Sequence, residues 1–439
     1  MRMTASEVAF AAHGTLTGPD VEANGISFDS RSLVRGQAFV AVSAERDGHE
    51  FCQDAISRGA AFLLVNHGKR LDGVTCVEVE DTIDALAAIG AYLRQKMSAQ
   101  LQHRVVGITG SVGKTSTKDL VLAVLSGGFS HAHGPEKSLN NDIGVPITIA
   151  NAPEGCDALV LEMGMRGFGE IARLCVVGQP MIGVITEVGD AHSSRVGGID
   201  GVVRAKAELV QSLPADGIAI VNADSVNAMR TVIGINARVV TFGSHDGADV
   251  VWSIRSVDES GRHLAVFQNG AEEASGLVPL PGSHMVSNAA AAIAVGIHCG
   301  MSLQDAVHAM TLAGIASQRM QWVATKAGLR ILDDSYNANS LSVEAALHTL
   351  TQIEASSRIA VLGQMAEVDD EVNAHLSVAA TCRDLGIEIL PLETDSYGTA
   401  AMSVEEIVKR LSIEGIDTVV LVKGSRVSAT ERVVHALIA

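Results

Sequence analysis

What the chain lacks narrows it first. No apolar run reaches the ~18 residues that crossing a bilayer requires, so membrane insertion is not expected. The six cysteines, Cys52, Cys76, Cys156, Cys175, Cys299 and Cys382, form no CxxC pair, and each lies in or beside an apolar run. They read as small buried hydrophobes in a reducing compartment. Basic residues are outnumbered, 32 Lys and Arg against 50 Asp and Glu, for a formal net charge of −18. That balance argues against nucleic acid as a partner, because phosphate backbones are held by cationic surface. An anionic ligand would need local cations, metal ions or helix N-termini to hold it against the overall field. The opening MRMTASEVAF lacks the basic-then-apolar build of a secretory signal, and the expected location is the cytoplasm.

Aromatics are scarce at 3%, but apolar residues make up 47% of 439 residues, and there are 43 glycines. A chain of this length holds several domains. The glycines suit an α/β protein with many tight strand-to-helix turns. Three segments separate by pattern. Residues 1–98 alternate short strands (37–42, 61–65) with helices (51–58, 82–97). Residues 99–316 begin with the β-branched strand VVGIT and repeat strand, loop and helix. Within them, 199–213 and 283–300 read as helices and 237–280 as a β-rich insertion. Residues 317–439 interleave the strands LRILDD, RIAVLG and TVVLVKG with helices around 342–354, 371–384 and 403–412, a small doubly wound sheet.

The sharpest local signal is VVGITGSVGKTSTKDL at 105–120. A buried strand runs into Gly110, Ser111, Val112, Gly113, Lys114 and Thr115, with Ser116 and Thr117 following, then into a helix. Glycines let such a loop turn its N–H groups toward phosphate oxygens, and the helix N-terminus adds partial positive charge there. Lys114 would neutralise the terminal phosphates and Thr115 would hold Mg²⁺ through its hydroxyl. The spacing is GxxGKT, shorter than the general form. It indicates a nucleoside triphosphate and leaves the reaction open.

Three more polar positions follow: Glu162 at the end of LVLEMG, His192 after ITEVGDA, and Lys206 in the helix VVRAKAEL. A carboxylate and an imidazole at strand ends beside a triphosphate suit a two-magnesium site. Taken singly, Glu162 reads equally as a solvated strand end, His192 as a loop residue and Lys206 as a surface cation.

Together, TGSVGKTST, LNNDIGVP, LEMG, ITEVGDAH, RAKAEL, GSHMVSNAAAA, DDSYNANS and VLVKGSR resemble the Mur ligase family in order and separation along nearly the whole chain. The resemblance implies three domains: a small α/β N-terminal domain, a central P-loop ATPase-type parallel-sheet domain and a C-terminal Rossmann-like doubly wound domain. It implies an ATP-dependent carboxylate–amine ligase that works through an acyl phosphate. DDSYNAN at 333–339, with FDSRSLVRGQAFVAV and DGHEF near the N-terminus and no DNPR, is similar to the branch whose acceptor is D-alanyl-D-alanine. A third-residue-adding or folylpolyglutamate-like ligase is the alternative.

The same resemblance implies roles. Gly110 to Ser116 would hold ATP, with Asn288 at the adenine and Arg319 and Asp334 closing over the nucleotide. Thr115 and Glu162 would bind one Mg²⁺, and His192 with Lys206, as a CO₂-derived carbamate, a second. Ser30, Arg31, Asp47, Gly48 and His49 would grip the UDP end of a UDP-N-acetylmuramoyl-tripeptide. Asn140 and Asn141 would lie along it, and Lys423, Ser425 and Arg426 would face the incoming dipeptide or the peptide carboxylate. The expected assembly is a monomer. Ser138, Glu187, Met285, Ser340 and Gln364 depart from the family's usual residues, which touches substrate detail more than chemistry.

Overall fold

A computed structural model describes residues 1–43, 46–136, 138–190, 193–314, 316–326, 328–366, 368 and 370–438. Its strands form three main sheets in chain order, plus a two-stranded ribbon at the N-terminus. The first sheet runs Thr15–Thr17, Cys76–Val79, Leu63–Asn66, Ala38–Val40, Ile26–Ser27, antiparallel at its first pair and parallel thereafter. The helix Thr82–Lys96 follows, with the side chain of Asp81 accepting from the amides of Ile83 and Asp84.

The central sheet has nine strands. Ala132–His133, Ala158–Glu162, Val105–Thr109, Ile182–Ile185, Ile218–Asn222 and Arg238–Gly243 are parallel neighbours in that order. The inner four, from Ala158–Glu162 to Ile218–Asn222, are almost uniformly buried, as expected for a sheet covered on both faces. Val250–Val257 joins parallel to Arg238–Gly243, and Arg262–Asn269 and Glu272–Pro281 continue antiparallel. Residues 237–280 are therefore no insertion: they are the far wing of the same sheet. Strand content alone reads the same whether a segment stands apart or extends a neighbour, because pairing is non-local.

The third sheet runs Gln321–Ala324, Arg330–Asp333, Thr418–Lys423, Ser357–Leu362, Glu388–Pro391, parallel except at the first pair. The strand 321–324 was not evident from its sequence. Helices Ser340–Gln352, Glu371–Asp384 and Val404–Leu411 lie close to the expected ranges.

The three bodies are joined unequally. One hydrophobic core runs without a break from the first domain (Val8, Phe62, Leu86, Ile89, Leu93) into the central one (Val145, Ile147, Ile171, Leu174, Val177, Leu209). Gly90 makes this possible: a Cβ there would stand 2.9 Å from Pro146 Cβ and 3.0 Å from Val177 Cγ1, so only glycine admits such close approach. Arg94, buried, donates to the carbonyl oxygens of Gly178 (3.1 Å) and Gln179 (3.3 Å). The third domain instead has two cores of its own, touched from the central domain by the partly buried Leu280. No helix among the described residues is long and apolar enough to cross a membrane.

Candidate active site

The parallel pairing of Val105–Thr109 with Ala158–Glu162 places Glu162 opposite Ile108, one step from the start of the phosphate loop. Pairing with Ile182–Ile185 sets Ile185 opposite Thr109 on the other side. Three strands thus end at one level, where open α/β sheets bind ligands. The helix Lys114–Gly128 opens at Gly113, which is left-handed (φ 84°). A Cβ on Gly113 would also lie 2.8 Å from Asn288 Oδ1. The loop is tied down from behind, with the amide of Ser111 donating to Glu187 O (2.6 Å) and its hydroxyl donating to Gly189 O (2.9 Å).

Above this edge lies a cleft of about 1000 Å³ between the central and third domains. Gly110 to Ser116, Asn140, Asn141, Glu162, Lys206, Asn288, Arg319, Asp334, Lys423 and Arg426 all line it. Glu162 is 1% exposed, so it is no solvated strand end. Its carboxylate accepts from Thr115 Oγ1 (2.8 Å) and from Asn140 Nδ2 (2.8 Å). Lys206 is 3% exposed and is no surface cation. Among the described residues its amine has no hydrogen-bond or ion-pair partner. Burial first, and the Lys114 charge second, push it well below the ordinary lysine range. Lys114 Nζ donates to Gly110 O (2.7 Å).

Arg319 crosses from the third domain to the phosphate loop, donating from Nη2 to Thr115 Oγ1 (3.0 Å), while its guanidinium lies 4.3 Å from the ring centroid of Tyr336. Its Nε is buried without a partner among the described residues. Asp334 accepts from Lys423 Nζ (2.5 Å) and from the amide of Met320 (3.2 Å). Lys423 also donates to Asn337 O (2.8 Å), so it is paired within its own domain.

Other expected positions lie apart or serve local structure. Asn141 Oδ1 accepts from the amides of Ile143 and Gly144 and starts the helix Gly144–Ala150. Ser425 is 1% exposed and donates to Gln364 O (2.5 Å), outside the cleft lining. Ser30, Arg31, Asp47, Gly48 and His49 do not line the cleft. Arg31 pairs with Asp29 (2.7 Å). His49 bonds Asp47 (2.5 Å) and accepts from the amide of Asn66 (3.0 Å), and the amide of Gly48 donates to Val42 O (3.0 Å). His192 lies outside the described residues.

Sequence reasoning passed over two cleft residues. Tyr336 stands between Arg319 and Arg426, whose guanidinium is 5.8 Å from its ring, and its place in DDSYNAN was the available signal. His284 lines the cleft in crowded surroundings, and desolvation lowers its pKa to about 4 against the opposing pull of Asp334. Glu187 is turned toward Ser225, whose hydroxyl donates to it (2.5 Å).

The family model for the Mur ligase middle domain matches residues 108–296, and that for the Mur ligase, glutamate ligase domain matches residues 318–437. The chain belongs to the Mur ligase family. It is 34% identical to the UDP-N-acetylmuramoyl-tripeptide--D-alanyl-D-alanine ligase of Escherichia coli over 99% of this chain and 98% of that one. Its fold overlays a MurF crystal structure from Acinetobacter baumannii with a TM-score of 0.88 at 27% identity, covering 100% of this chain and 99% of the other. The Thermotoga maritima MurF ligase in complex with ADP gives 0.80 at 25% identity, covering 94% and 97%. The three-domain Mur ligase architecture read from the motifs is thus the architecture observed.

Proposed function

We propose that this Mur ligase joins D-alanyl-D-alanine to UDP-N-acetylmuramoyl-tripeptide at the expense of ATP, yielding ADP and phosphate, as a cytoplasmic monomer in peptidoglycan precursor synthesis. The observation that carries the reading is one cleft holding the phosphate loop, the buried Glu162 and Lys206, and an arginine brought in from the next domain. Similarity to D-alanyl-D-alanine-adding enzymes over nearly the full length selects the acceptor. The domains divide as 1–98, 99–316 and 317–439.

A peptide carboxylate is a poor electrophile, so the terminal phosphoryl group of ATP passes to it first, giving an acyl phosphate. The loop amides and Lys114 hold the triphosphate and offset charge on the transferring oxygens. Lys114 carries three N–H donors, so it can hold phosphate oxygens while keeping its bond to Gly110 O. Arg319, whose Nε has no partner among the described residues, reaches the same region from the third domain. The amine of D-alanyl-D-alanine then attacks the acyl carbon and phosphate departs.

Thr115 and Glu162 are hard oxygen donors of the kind Mg²⁺ takes, and they already meet each other at 2.8 Å. They would hold one Mg²⁺; His192 and Lys206 would hold the second. A lysine fits such a site only as an anion. Burial favours the neutral amine, which adds to CO₂ with loss of a proton to give a carbamate. Bound Mg²⁺ would neutralise the phosphoryl oxygens in flight. Ser30, Arg31 and the Asp47–His49 turn would take the uridine end of the substrate.

Because water destroys an acyl phosphate, the third domain is expected to turn further onto the central one when ATP and peptide bind. The deciding experiment measures phosphate release with Mg·ATP, UDP-N-acetylmuramoyl-tripeptide and D-alanyl-D-alanine, omitting each in turn. Release that needs all three, with a pentapeptide product by mass, is expected. Release with another amine would change the acceptor, and no release despite tight ATP binding would overturn the reading.

A further inference from the structure

The segment that leaves the central domain for the third has almost nothing to hold it by side-chain packing. None of the described residues from 312 to 319 is buried, and Leu312 is 71% exposed. Gln318 (φ 62°) and Met320 (φ 51°), on either side of Arg319, are both left-handed without being glycine. A conformation of that kind persists only where its surroundings fix it.

Among the described residues ahead of Arg319, one side chain of the central domain grips the segment: the amide of Ala316 donates to Asp119 Oδ2 (3.0 Å). Asp119 lies in the helix that begins at the phosphate loop. Its other oxygen, Oδ1, receives a short hydrogen bond from Lys118, which is 1% exposed. Lys118 in turn donates to Pro135 O (2.9 Å), just before the stretch that carries Ser138 and Asn140. Each carboxylate oxygen thus has its own donor. Arg319 lies three steps along the chain from Ala316, a reach of roughly 10 Å at full extension. Fixing Ala316 therefore confines where Arg319 can arrive.

We propose that Asp119, held by Lys118, is a positioning residue that sets where the chain leaves the central domain and so delivers Arg319 to the phosphate loop. This rests on the reading that the third domain turns onto the central one during catalysis. Asp119 touches no reacting atom; it acts through the linker.

Two full-length variants test it. Asp119→Asn is isosteric: with its oxygen kept on Lys118, its amide faces the Ala316 N–H, donor against donor. Lys118→Gln/Asp119→Ala removes both buried charges while leaving a donor for Pro135 O, and it keeps the test open if the single variant fails to fold. Mg·ATP affinity is measured by calorimetry, kcat by phosphate release, and compaction by solution scattering with saturating ligands. Both variants are expected to bind Mg·ATP within about twofold of the parent. Their kcat should fall by about tenfold to a hundredfold, the scale of a misplaced positioning group, and ligand-induced compaction should be incomplete. A folded variant with parental kcat and compaction would overturn the proposal. So would parallel loss of ATP affinity and kcat, which marks a role in shaping the phosphate loop instead. If the parent itself does not compact, domain rotation fails, a result distinct from a parent that compacts and variants that compact equally.

Discussion

Lys206 and His284 are both held away from their ordinary titration by desolvation, with different consequences. For Lys206 the outcome is chemical, since a neutral amine is the form that adds to CO₂. Lys206→Ala should abolish phosphate release, with partial recovery in short carboxylic acids; full activity without them would remove the carbamate from the mechanism. For His284 the outcome is a pH dependence of stability. Its folded pKa of about 4 lies below the ordinary 6.5, so the unfolded chain binds more protons between those values. Stability should be complete above about 6.5 and decline as pH falls toward 4, by on the order of 2 kcal/mol from this group after allowance for a ring that borders the cleft. His284→Gln should flatten the dependence of Tm on pH across that window, and an unchanged slope would show the ring is not its source. His284 itself was not singled out in the sequence, because a histidine in an alanine-rich helix carries no mark of its surroundings. Glu162 and Lys206 were legible as chemistry, whereas their burial depended on which strands become neighbours.

Among the elements, the phosphate loop repays its legibility. Strand, glycine-rich turn and helix are contiguous in sequence, so local pattern was enough to find them. Gly113→Ala would force a side chain into the left-handed region, at about 1–2 kcal/mol, and against Asn288 Oδ1. Weakening of Mg·ATP binding by about tenfold is expected, read by calorimetry, with a smaller fall in Tm; unaltered affinity would mean the loop closes on phosphate without that conformation. The strands from 238 to 281 were legible as strands but not as the sheet's own wing, since pairing partners lie outside any local window. Asn141 shows two uses at once. It lines the cleft, where a substrate contact is expected, and its side chain also accepts from the amides of Ile143 and Gly144 ahead of a helix. A motif records that a residue is needed without distinguishing contact with ligand from support of the backbone beside it.

At the scale of the whole molecule, the first and central domains share a core and the third keeps its own. The third is therefore the body expected to turn, held to the central one by few contacts such as Leu280 and the bond from Trp322 to Ser260 O, and the route between them passes through residues 312–320. Limited proteolysis should cut the ligand-free protein in that stretch, and saturating Mg·ATP with peptide substrate should slow the cut; equal rates would argue that the two bodies do not close. Separation of cores was not legible beforehand, because apolar periodicity shows that a face is buried and not what buries it.

The continuous core around Gly90 also governs how such a chain can be cut and rejoined. A graft made at residue 98 would part Leu86, Ile89 and Leu93 from the side chains of 144–178 that complete them, leaving two raw apolar faces. A graft made between 312 and 317 parts far less: the edge where Leu280 meets the third domain's core and the bond from Trp322 Nε1 to Ser260 O (2.9 Å). For inheritance by recombination the molecule is two pieces, and a new first domain arrives only with the half of the central one that it leans on.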